Sequence, residues 1–334
     1  MNKKKLLKQE INMAISKIEN WYKRKSKALT ISTIPYNSTV IFQNIILDII
    51  ESGKKVLYLW NGDDENTELV KKLKLEKKDL THGYKKEDVD INFINYNDCN
   101  NLSEEYELAI IDDISVFSTL SKEEIRRKYD SISNNAKRII IYSIETIIPT
   151  GEYFELPSMF STGPFVEPRL MTTRIDLTKD IPYILYDYLK WFIDNEQKVV
   201  MYVPDEESLG VVCEYYANKL KLHGVKVTAL PKFDTQKTLN DVLKLSNKAM
   251  LIITDRMEET FKDLAIGGAI VLFANNKNYN YRQFIYICGE IFKMNLKFPE
   301  VLLVGNEISS DMDEAKEIAR NFNIKIWESN YLEL

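Results

Sequence analysis

Basic and aromatic residues stand side by side near the start of this sequence. They are Trp21, Tyr22, Lys23, Arg24, Lys25 and Lys27. Lysine and arginine bind phosphate, and an aromatic ring can stack on a base, so this cluster predicts contacts with single-stranded DNA. The same residues allow a plainer interpretation, in which Trp21 and Tyr22 pack the end of a helix onto the domain that follows.

The charge of the chain is unevenly distributed. The 334 residues carry a net charge of -5, whereas residues 1–30 hold nine Lys or Arg and two Glu, a balance of +7. The rest of the chain therefore carries -12. A phosphate-binding role must rest on this basic arm or on a local cleft, because the overall field is acidic. A solvated basic helix face is the alternative.

The cysteines and histidines do not have the spacing of a metal site. Cys99, Cys213 and Cys288 are isolated and odd in number, which supports neither a disulfide framework nor a zinc site. His82 and His223 are the only histidines and lie far apart in sequence. We expect free thiols and no bound metal.

Two catalytic motifs and a membrane span also lack support. Ser143 has no flanking glycines of a nucleophile elbow, and Gly267 and Gly268 do not form a dinucleotide fingerprint. The longest apolar stretches, such as Ala265–Ala274, are shorter than the roughly 20 residues that a span needs. We expect a cytoplasmic protein with no integral membrane segment, peripheral at the inner face of the membrane at most.

Apolar periodicity predicts an α/β chain. Residues 4–25 have three- and four-residue apolar spacing and should form an amphipathic helix. Helices are also expected at 39–52 and 67–75, and again at 209–222, 281–292 and 312–321. Short apolar runs that alternate with the helices predict strands of buried parallel sheets. These runs are 29–33, 56–60, 91–94, 108–111, 138–142, 198–203, 226–230, 249–254, 269–273 and 301–304.

A proline-containing stretch interrupts this alternation. Residues 156–174 include Pro157, Pro164 and Pro168 and have no helical period, which is typical of a linker. The alternation then resumes, so we expect two like domains that face each other across a cleft. Arg169 and Arg174 are further candidate contacts for nucleic acid at that cleft.

The order of these features resembles the ComFA family of competence DNA-uptake ATPases, over nearly the whole chain. The most specific match is LPSMFSTGPFVEPR at 156–169, which resembles the segment between that family's two lobes. ESGKKVLYL at 51–59, YELAIIDDISVFS at 106–118, VVMYVPDEESL at 199–209 and MLIITDRMEE at 250–259 match other family segments. The family's N-terminal four-cysteine zinc module has no counterpart here.

The resemblance implies two tandem RecA-like domains of the P-loop NTPase type, with parallel sheets and the architecture of superfamily 2 helicases. It divides the chain into a basic amphipathic helix at 1–28, a first lobe at 29–155, an interlobe linker at 156–178 and a second lobe at 179–334.

The resemblance also places the phosphate-binding loop, which has lost its defining residues. Matched to the family, this loop falls on Thr33–Thr39, where no glycine remains and Ser38 stands in place of the lysine. Pro35 has no N–H group to offer a phosphate. Asn37 lies within this relic loop, and only Thr39 survives as a possible ligand for Mg²⁺.

An acidic pair is better preserved. By the resemblance, Asp112 occupies the Mg²⁺-coordinating place, and Asp113 replaces a glutamate that orients the attacking water. Two aspartates at the end of a strand could instead cap the turn that follows. These two residues are therefore only relic candidates for catalysis.

On the second lobe, the resemblance places motif VI, whose arginines reach the γ-phosphate, at 286–293. Gly289, Glu290 and Lys293 are the relic residues of this motif, and Glu290 replaces the first arginine and reverses its charge. An arginine finger is worth about 10³ to 10⁵ in rate, so its loss and the loss of the loop lysine together predict no hydrolysis.

The leading hypothesis is a helicase-like, nucleic-acid-associated protein that resembles ComFA and lacks ATP hydrolysis. Its expected partners are single-stranded DNA and proteins of DNA uptake or processing. One alternative is an active ATP-dependent translocase or helicase, for which ATP and Mg²⁺ would be the cofactors. Another is a scaffold that binds proteins and neither ATP nor nucleic acid. Nucleotide binding distinguishes the active enzyme, and salt-dependent DNA binding distinguishes the leading hypothesis from the scaffold.

Overall fold

The chain divides into two compact α/β units in a computed structural model. Residues 1–162 and 325–334 form the first unit, and residues 163–324 form the second. The structure describes residues 3–156, 163–220, 222–231, 249–257, 266–296 and 298–328.

The first unit contains a parallel sheet of seven strands in the order β3-β4-β2-β5-β6-β1-β7. The strands are β1 (Ala28–Thr33), β2 (Val56–Trp60), β3 (His82–Tyr84), β4 (Ile91–Asn95), β5 (Tyr106–Asp112), β6 (Ala136–Ser143) and β7 (Glu152–Leu156). Every residue of β5 is buried, as expected for an apolar strand at the centre of a sheet that is covered on both faces.

The first unit has four α-helices among its described residues. They are α1 (Lys3–Arg24), α2 (Gln43–Glu51), α3 (Thr67–Glu76) and α4 (Lys122–Ile132), with 3-10 helices at Thr39–Phe42 and Tyr96–Asn101. Asn66 caps α3, and Ser121 and Glu124 form a reciprocal capping box on α4.

The second unit contains a parallel sheet of six strands in the order β10-β11-β9-β12-β13-β8. The strands are β8 (Arg169–Thr172), β9 (Lys198–Tyr202), β10 (Lys226–Leu230), β11 (Met250–Thr254), β12 (Ile266–Leu272) and β13 (Glu300–Gly305). Gly268 has a structural reason to lack a side chain, because a Cβ atom there would lie 2.6 Å from the Phe192 ring.

The described helices of the second unit are α5 (Tyr183–Asp194), α6 (Glu206–Glu214), α7 (Tyr281–Lys293) and α8 (Ser310–Glu328), of which residues 325–328 belong to the first unit. A π-helical turn, Tyr215–Lys219, continues α6. Residues 282–292 of α7 are all buried, so this helix lies inside its unit. Asn280 and Gln283 form a capping box at its start.

Most predicted elements are present. Each predicted strand occurs, with its ends within about three residues of the expected positions. The predicted helix at 39–52 begins as a 3-10 helix, and the one at 209–222 begins at Glu206 and ends in the π-helical turn. Part of the predicted linker, 157–162, lies outside the described residues.

Three short strands were not predicted. β8 lies inside the predicted linker and pairs with β13, so this stretch is not free of regular structure. β3, β7 and β8 are each at an edge of a sheet and keep exposed or half-buried residues. Edge strands lack the continuous apolar run on which the predictions depended.

Candidate functional site

The relic loop lies at the carboxyl edge of the first sheet. β1 ends at Thr33, and the 3-10 helix that leads into α2 begins at Thr39. The loop between them holds the predicted residues Pro35, Asn37 and Ser38. Open parallel sheets bind ligands at this edge, so the loop has the position that a phosphate-binding loop requires.

Two N–H groups of this loop, and that of Val40 just after it, donate to acceptors of the protein itself. Tyr36 N donates to the carbonyl oxygen of Ile114 at 2.9 Å, and Ser38 N donates to Asn37 Oδ1 at 3.0 Å. Val40 N donates to Ser38 Oγ at 3.3 Å. Phosphate loops work by directing such donors at the ligand, and here these donors have protein acceptors instead.

The loop side chains are also packed inward. Asn37 Nδ2 donates to Thr33 Oγ1 at 2.7 Å, and Thr33 Oγ1 donates to the Leu156 carbonyl at 2.6 Å. Asn37 and Thr39 are both buried. Tyr36 has a φ of 61°, in the left-handed region that a glycine adopts at little cost.

The Asp112 carboxylate is held entirely within the unit. The residue is 0% exposed. Its Oδ1 accepts hydrogen bonds from Ile114 N at 2.9 Å and Ser115 N at 3.0 Å. Its Oδ2 accepts short hydrogen bonds from the Tyr58 and Ser115 hydroxyls. Asp112 thus caps the turn after β5, and protein donors occupy the oxygens that a Mg²⁺ shell would need.

The electrostatics of this network favour protonated hydroxyls around Asp112. Burial raises the pKa of Asp112 above its ordinary value, and hydrogen bonds from Ser115 and Tyr58 offset part of the rise. Burial and the Asp112 carboxylate raise the pKa of Tyr58 and of Tyr142 well above the usual range. The tyrosine hydroxyls therefore remain donors at neutral pH.

Asp113 has separate surroundings. Its side chain is buried, and its Oδ2 accepts a hydrogen bond from Ser143 Oγ at 3.0 Å. Its backbone N donates to the Tyr142 carbonyl at 2.9 Å. The two adjacent carboxylates are thus bound by donors from different elements, and neither lies on an open surface.

The residues that close this network were not predicted as site residues. Tyr58 is in the middle of β2, Ser115 follows β5, and the Tyr142 hydroxyl donates to the Ser38 carbonyl at 3.1 Å. A tyrosine within a buried strand is a signal that could have found them, since its hydroxyl must have a partner in the core.

The basic arm has a buried aromatic side. Trp21 is 1% exposed, so its ring is covered and not available for base stacking. The Tyr22 hydroxyl donates to Glu107 at 3.1 Å, and the Arg138 guanidinium lies 4.2 Å from the centre of the Tyr22 ring. These two aromatic residues therefore pack α1 onto the first unit, in line with the plainer interpretation of their sequence.

The four basic residues predicted as DNA contacts at the end of the arm differ in their surroundings. Arg24 pairs with Glu152 at 3.0 Å, and Lys27 donates to the carbonyls of Ser133 and Ala136. Lys23 and Lys25 are exposed, and within the described part of the chain neither has an ion-pair partner. Of these four residues, the two lysines are therefore the more available to a phosphate.

The candidate residues of the second unit do not form one surface. Gly289 and Glu290 are buried in α7, whereas Lys293 at its end is exposed. Arg169 is exposed and pairs with Glu300 at 3.1 Å, and Arg174 is exposed after β8. The Glu290 side chain is thus buried, unlike those of Lys293 and the two arginines.

The described residues contain no candidate metal site and no candidate membrane span. No group of three or more histidine, cysteine, aspartate or glutamate side chains there could hold a metal ion. Within the same residues, every helix is too short or too polar to cross a bilayer.

Comparisons with known proteins identify the fold. No protein-family model and no curated protein matches the sequence. Among solved structures, Xpd4 of S. tokodaii has a TM-score of 0.57 at 11% identity, covering 89% of this chain and 95% of that one. S. cerevisiae Dbp5 bound to RNA and ADP BeF3 has a TM-score of 0.51 at 10% identity, covering 94% and 90%. RecG bound to a three-way DNA junction has a TM-score of 0.52 at 13% identity, covering 98% of this chain and 48% of RecG.

These neighbours are superfamily 2 helicases. The two parallel sheets and the neighbours together confirm the predicted fold of two tandem RecA-like α/β domains. At such low identity the likeness concerns the fold alone.

Proposed function

We propose that this chain is a helicase-like, nucleic-acid-associated protein that resembles the ComFA DNA-uptake translocases and does not hydrolyse ATP. The RecA-like fold supports the association with nucleic acid, because Dbp5 was solved with RNA and RecG with a DNA junction. The chain spans about half of RecG, so the proposal takes no activity from that protein.

The hydrogen bonds that Asp112 accepts are the observation that best supports the proposed loss of ATP hydrolysis. A carboxylate that binds Mg²⁺ must present at least one oxygen to the ion. Both oxygens of Asp112 accept hydrogen bonds from Tyr58, Ser115 or Ile114 inside the core. Opening this site would break several buried hydrogen bonds at about 1 kcal/mol each, before any nucleotide contact was made.

The proposal assigns contact with DNA to the basic arm at 1–28. Lys23 and Lys25 are exposed cations of this arm that have no ion-pair partner among the described residues, and Arg169 and Arg174 in the second unit are further candidates. In this proposal the arm precedes a first lobe at 29–155, a linker at 156–178 and a second lobe at 179–334. The protein would act in the cytoplasm with proteins of DNA uptake or processing.

A titration of labelled single-stranded DNA, with and without ATP and Mg²⁺, tests this function. We expect weak binding that falls steeply with salt, since counterions are released when lysines meet phosphates. ATP and Mg²⁺ should not change the affinity. Binding that requires ATP would contradict the proposal and favour an active translocase.

A non-catalytic protein scaffold is the second candidate function. It is favoured by the engagement of Arg24 with Glu152 and of Lys27 with backbone carbonyls, which leaves fewer cations for phosphate. Failure to bind DNA at low salt, in protein that is folded by circular dichroism, would support the scaffold.

A further inference from the structure

An open groove on the second unit combines apolar and acidic side chains. It encloses about 420 Å³ and is lined by Ile184, Asp187, Tyr188, Trp191, Phe298 and Glu300. The first four residues form one stripe of α5, because positions i, i+3, i+4 and i+7 lie on the same helix face. Glu300, the first residue of β13, and Phe298, two residues before it, form the other side.

Large apolar side chains of this groove are open to solvent. Ile184 is 66% exposed, Trp191 is 40% exposed and Phe298 is 51% exposed. The Trp191 and Phe298 rings meet edge to face with their centres 6.0 Å apart. Exposed apolar side chains that stand together mark a binding surface more often than scattered ones do.

Charge distinguishes between the two macromolecules that exposed aromatic rings could bind. A single-stranded nucleic acid needs cations beside the rings to balance its phosphates. Among the described residues, the groove lining has two carboxylates and no basic side chain. Arg169 pairs with Glu300 at 3.1 Å, whereas Asp187 is exposed in the middle of the apolar stripe. The groove therefore favours a basic, apolar ligand.

We propose that this groove binds an amphipathic helical segment of a partner protein, which places apolar side chains against Trp191 and Phe298 and a lysine or arginine beside Asp187. Helix-in-groove recognition uses anchors at three- and four-residue spacing, and the α5 stripe has the matching spacing. The proposal does not depend on binding of nucleic acid elsewhere.

The test uses the full chain and two fluorescent peptides of about 18 residues, or five helical turns. Both peptides carry leucines at three- and four-residue spacing, and the flanking positions are lysine in one and glutamate in the other. We expect fluorescence anisotropy to show binding of the lysine peptide and weaker binding of the glutamate peptide.

Charge reversal on the protein then identifies the site. Asp187→Lys should weaken the lysine peptide about 3- to 10-fold and strengthen the glutamate peptide, since an attraction becomes a repulsion of similar size. Glu317→Lys reverses an exposed charge on α8 of the same unit and should change neither affinity. Trp191→Ala should weaken both peptides, with circular dichroism as the check that the variant is folded.

Several outcomes would overturn the proposal. One is equal affinity for the two peptides in both the parent and the Asp187→Lys variant, which would indicate unspecific apolar adhesion. Another is that oligothymidylate displaces the peptide from the parent protein, which would assign the rings to nucleic acid. Absence of binding to the lysine peptide, or concentration-dependent self-association that Trp191→Ala abolishes, would also contradict it.

Discussion

The Tyr58 hydroxyl donates a hydrogen bond to the Asp112 carboxylate across the adjacent strands β2 and β5. The two residues are 54 positions apart in sequence and are both buried. A protein hydroxyl thus occupies one oxygen of Asp112, the residue to which the resemblance assigns Mg²⁺ coordination. The acidic pair stabilises the unit in which it lies, and its carboxylates can be tested as structural groups.

Asp112→Asn should leave the free energy of unfolding unchanged or increase it. The pKa of the Asp112 carboxyl is raised in the folded state, so the folded protein binds this proton more tightly than the unfolded chain does. Above the folded pKa the carboxyl is charged, and this charge lowers the free energy of unfolding. Asparagine keeps an acceptor for Ile114 N and Ser115 N. Urea denaturation measures the effect.

Asp112→Ala provides the comparison for that variant. It leaves two backbone N–H groups and the Tyr58 hydroxyl without their acceptor and should cost about 3 kcal/mol. If asparagine destabilised the protein as much as alanine does, the negative charge itself would be required, and a site for a cation would again have to be considered.

The purified protein should release phosphate from ATP no faster than an Asp112→Asn, Asp113→Asn control. The relic loop has no lysine, its Tyr36 and Ser38 N–H groups donate to protein acceptors, and Glu290 stands where the resemblance places an arginine. Turnover is measured with and without single-stranded DNA. DNA-stimulated release that disappears in the control would show that the network around Asp112 opens to admit Mg²⁺ and ATP.

Glu107→Gln should lower stability by about 2 kcal/mol at neutral pH. Burial raises the pKa of Glu107, but hydrogen bonds from Lys54, Tyr22 and Lys137 outweigh this and hold the pKa at about 2. Because the folded pKa is depressed, the charged carboxylate contributes its full stability above pH ~4.5, and this is lost as the pH falls towards 2.

Measuring the free energy of unfolding at several acidic pH values separates the contribution of Glu107 from the acid sensitivity of the protein as a whole. The Glu107→Gln variant should lose less stability than the parent between pH ~5 and 3. Glu105→Gln, at an exposed position two residues away, should behave as the parent does. Equal pH dependence in all three proteins would mean that Glu107 does not account for this part of the acid sensitivity.

Neutralising Lys23, Arg24, Lys25 and Lys27 together should weaken binding of single-stranded DNA without altering base preference. Each lost phosphate contact should reduce the slope of log affinity against log salt by about 0.7. The Lys23→Gln, Lys25→Gln pair should produce most of this change, because Arg24 and Lys27 are already engaged by protein acceptors.

The Arg24→Gln, Lys27→Gln pair is the matched control for the arm. It should act mainly on stability, since Arg24 pairs with Glu152 and Lys27 binds the carbonyls of Ser133 and Ala136. Unchanged affinity and slope in the fourfold variant would place the contact near Arg169 and Arg174 instead.

The fold was largely predictable because its signals are local. β5 is a buried strand with an apolar centre, and α3 begins at a capping residue that can be read from the sequence. β8 escaped prediction because an edge strand of four residues has a partly exposed, mixed pattern. Its pairing with β13 depends on residues far along the chain.

The state of the candidate site was less predictable, because its contacts are long-range. The missing glycines and lysine of the loop can be read from Thr33–Thr39 alone. The hydrogen bonds that occupy the site cannot be read from the sequence, since Tyr142 and Ser38 are 104 residues apart and Tyr58 and Asp112 are 54 residues apart. Burial of Trp21 likewise depends on packing against the first unit.

The position of β1 between β6 and β7 has a consequence for folding during synthesis. Lys27 binds a carbonyl 109 residues later, and Thr33 binds one 123 residues later, so the first strand has both neighbours only after residue 156 is made. At about 5–20 residues per second, a ribosome needs about 10 s to produce that stretch. Throughout this interval the apolar side of α1 has no completed sheet to cover it. Nascent chains arrested before residue 156 should therefore be captured by chaperones that bind amphipathic helices, and chains arrested well beyond it should escape them.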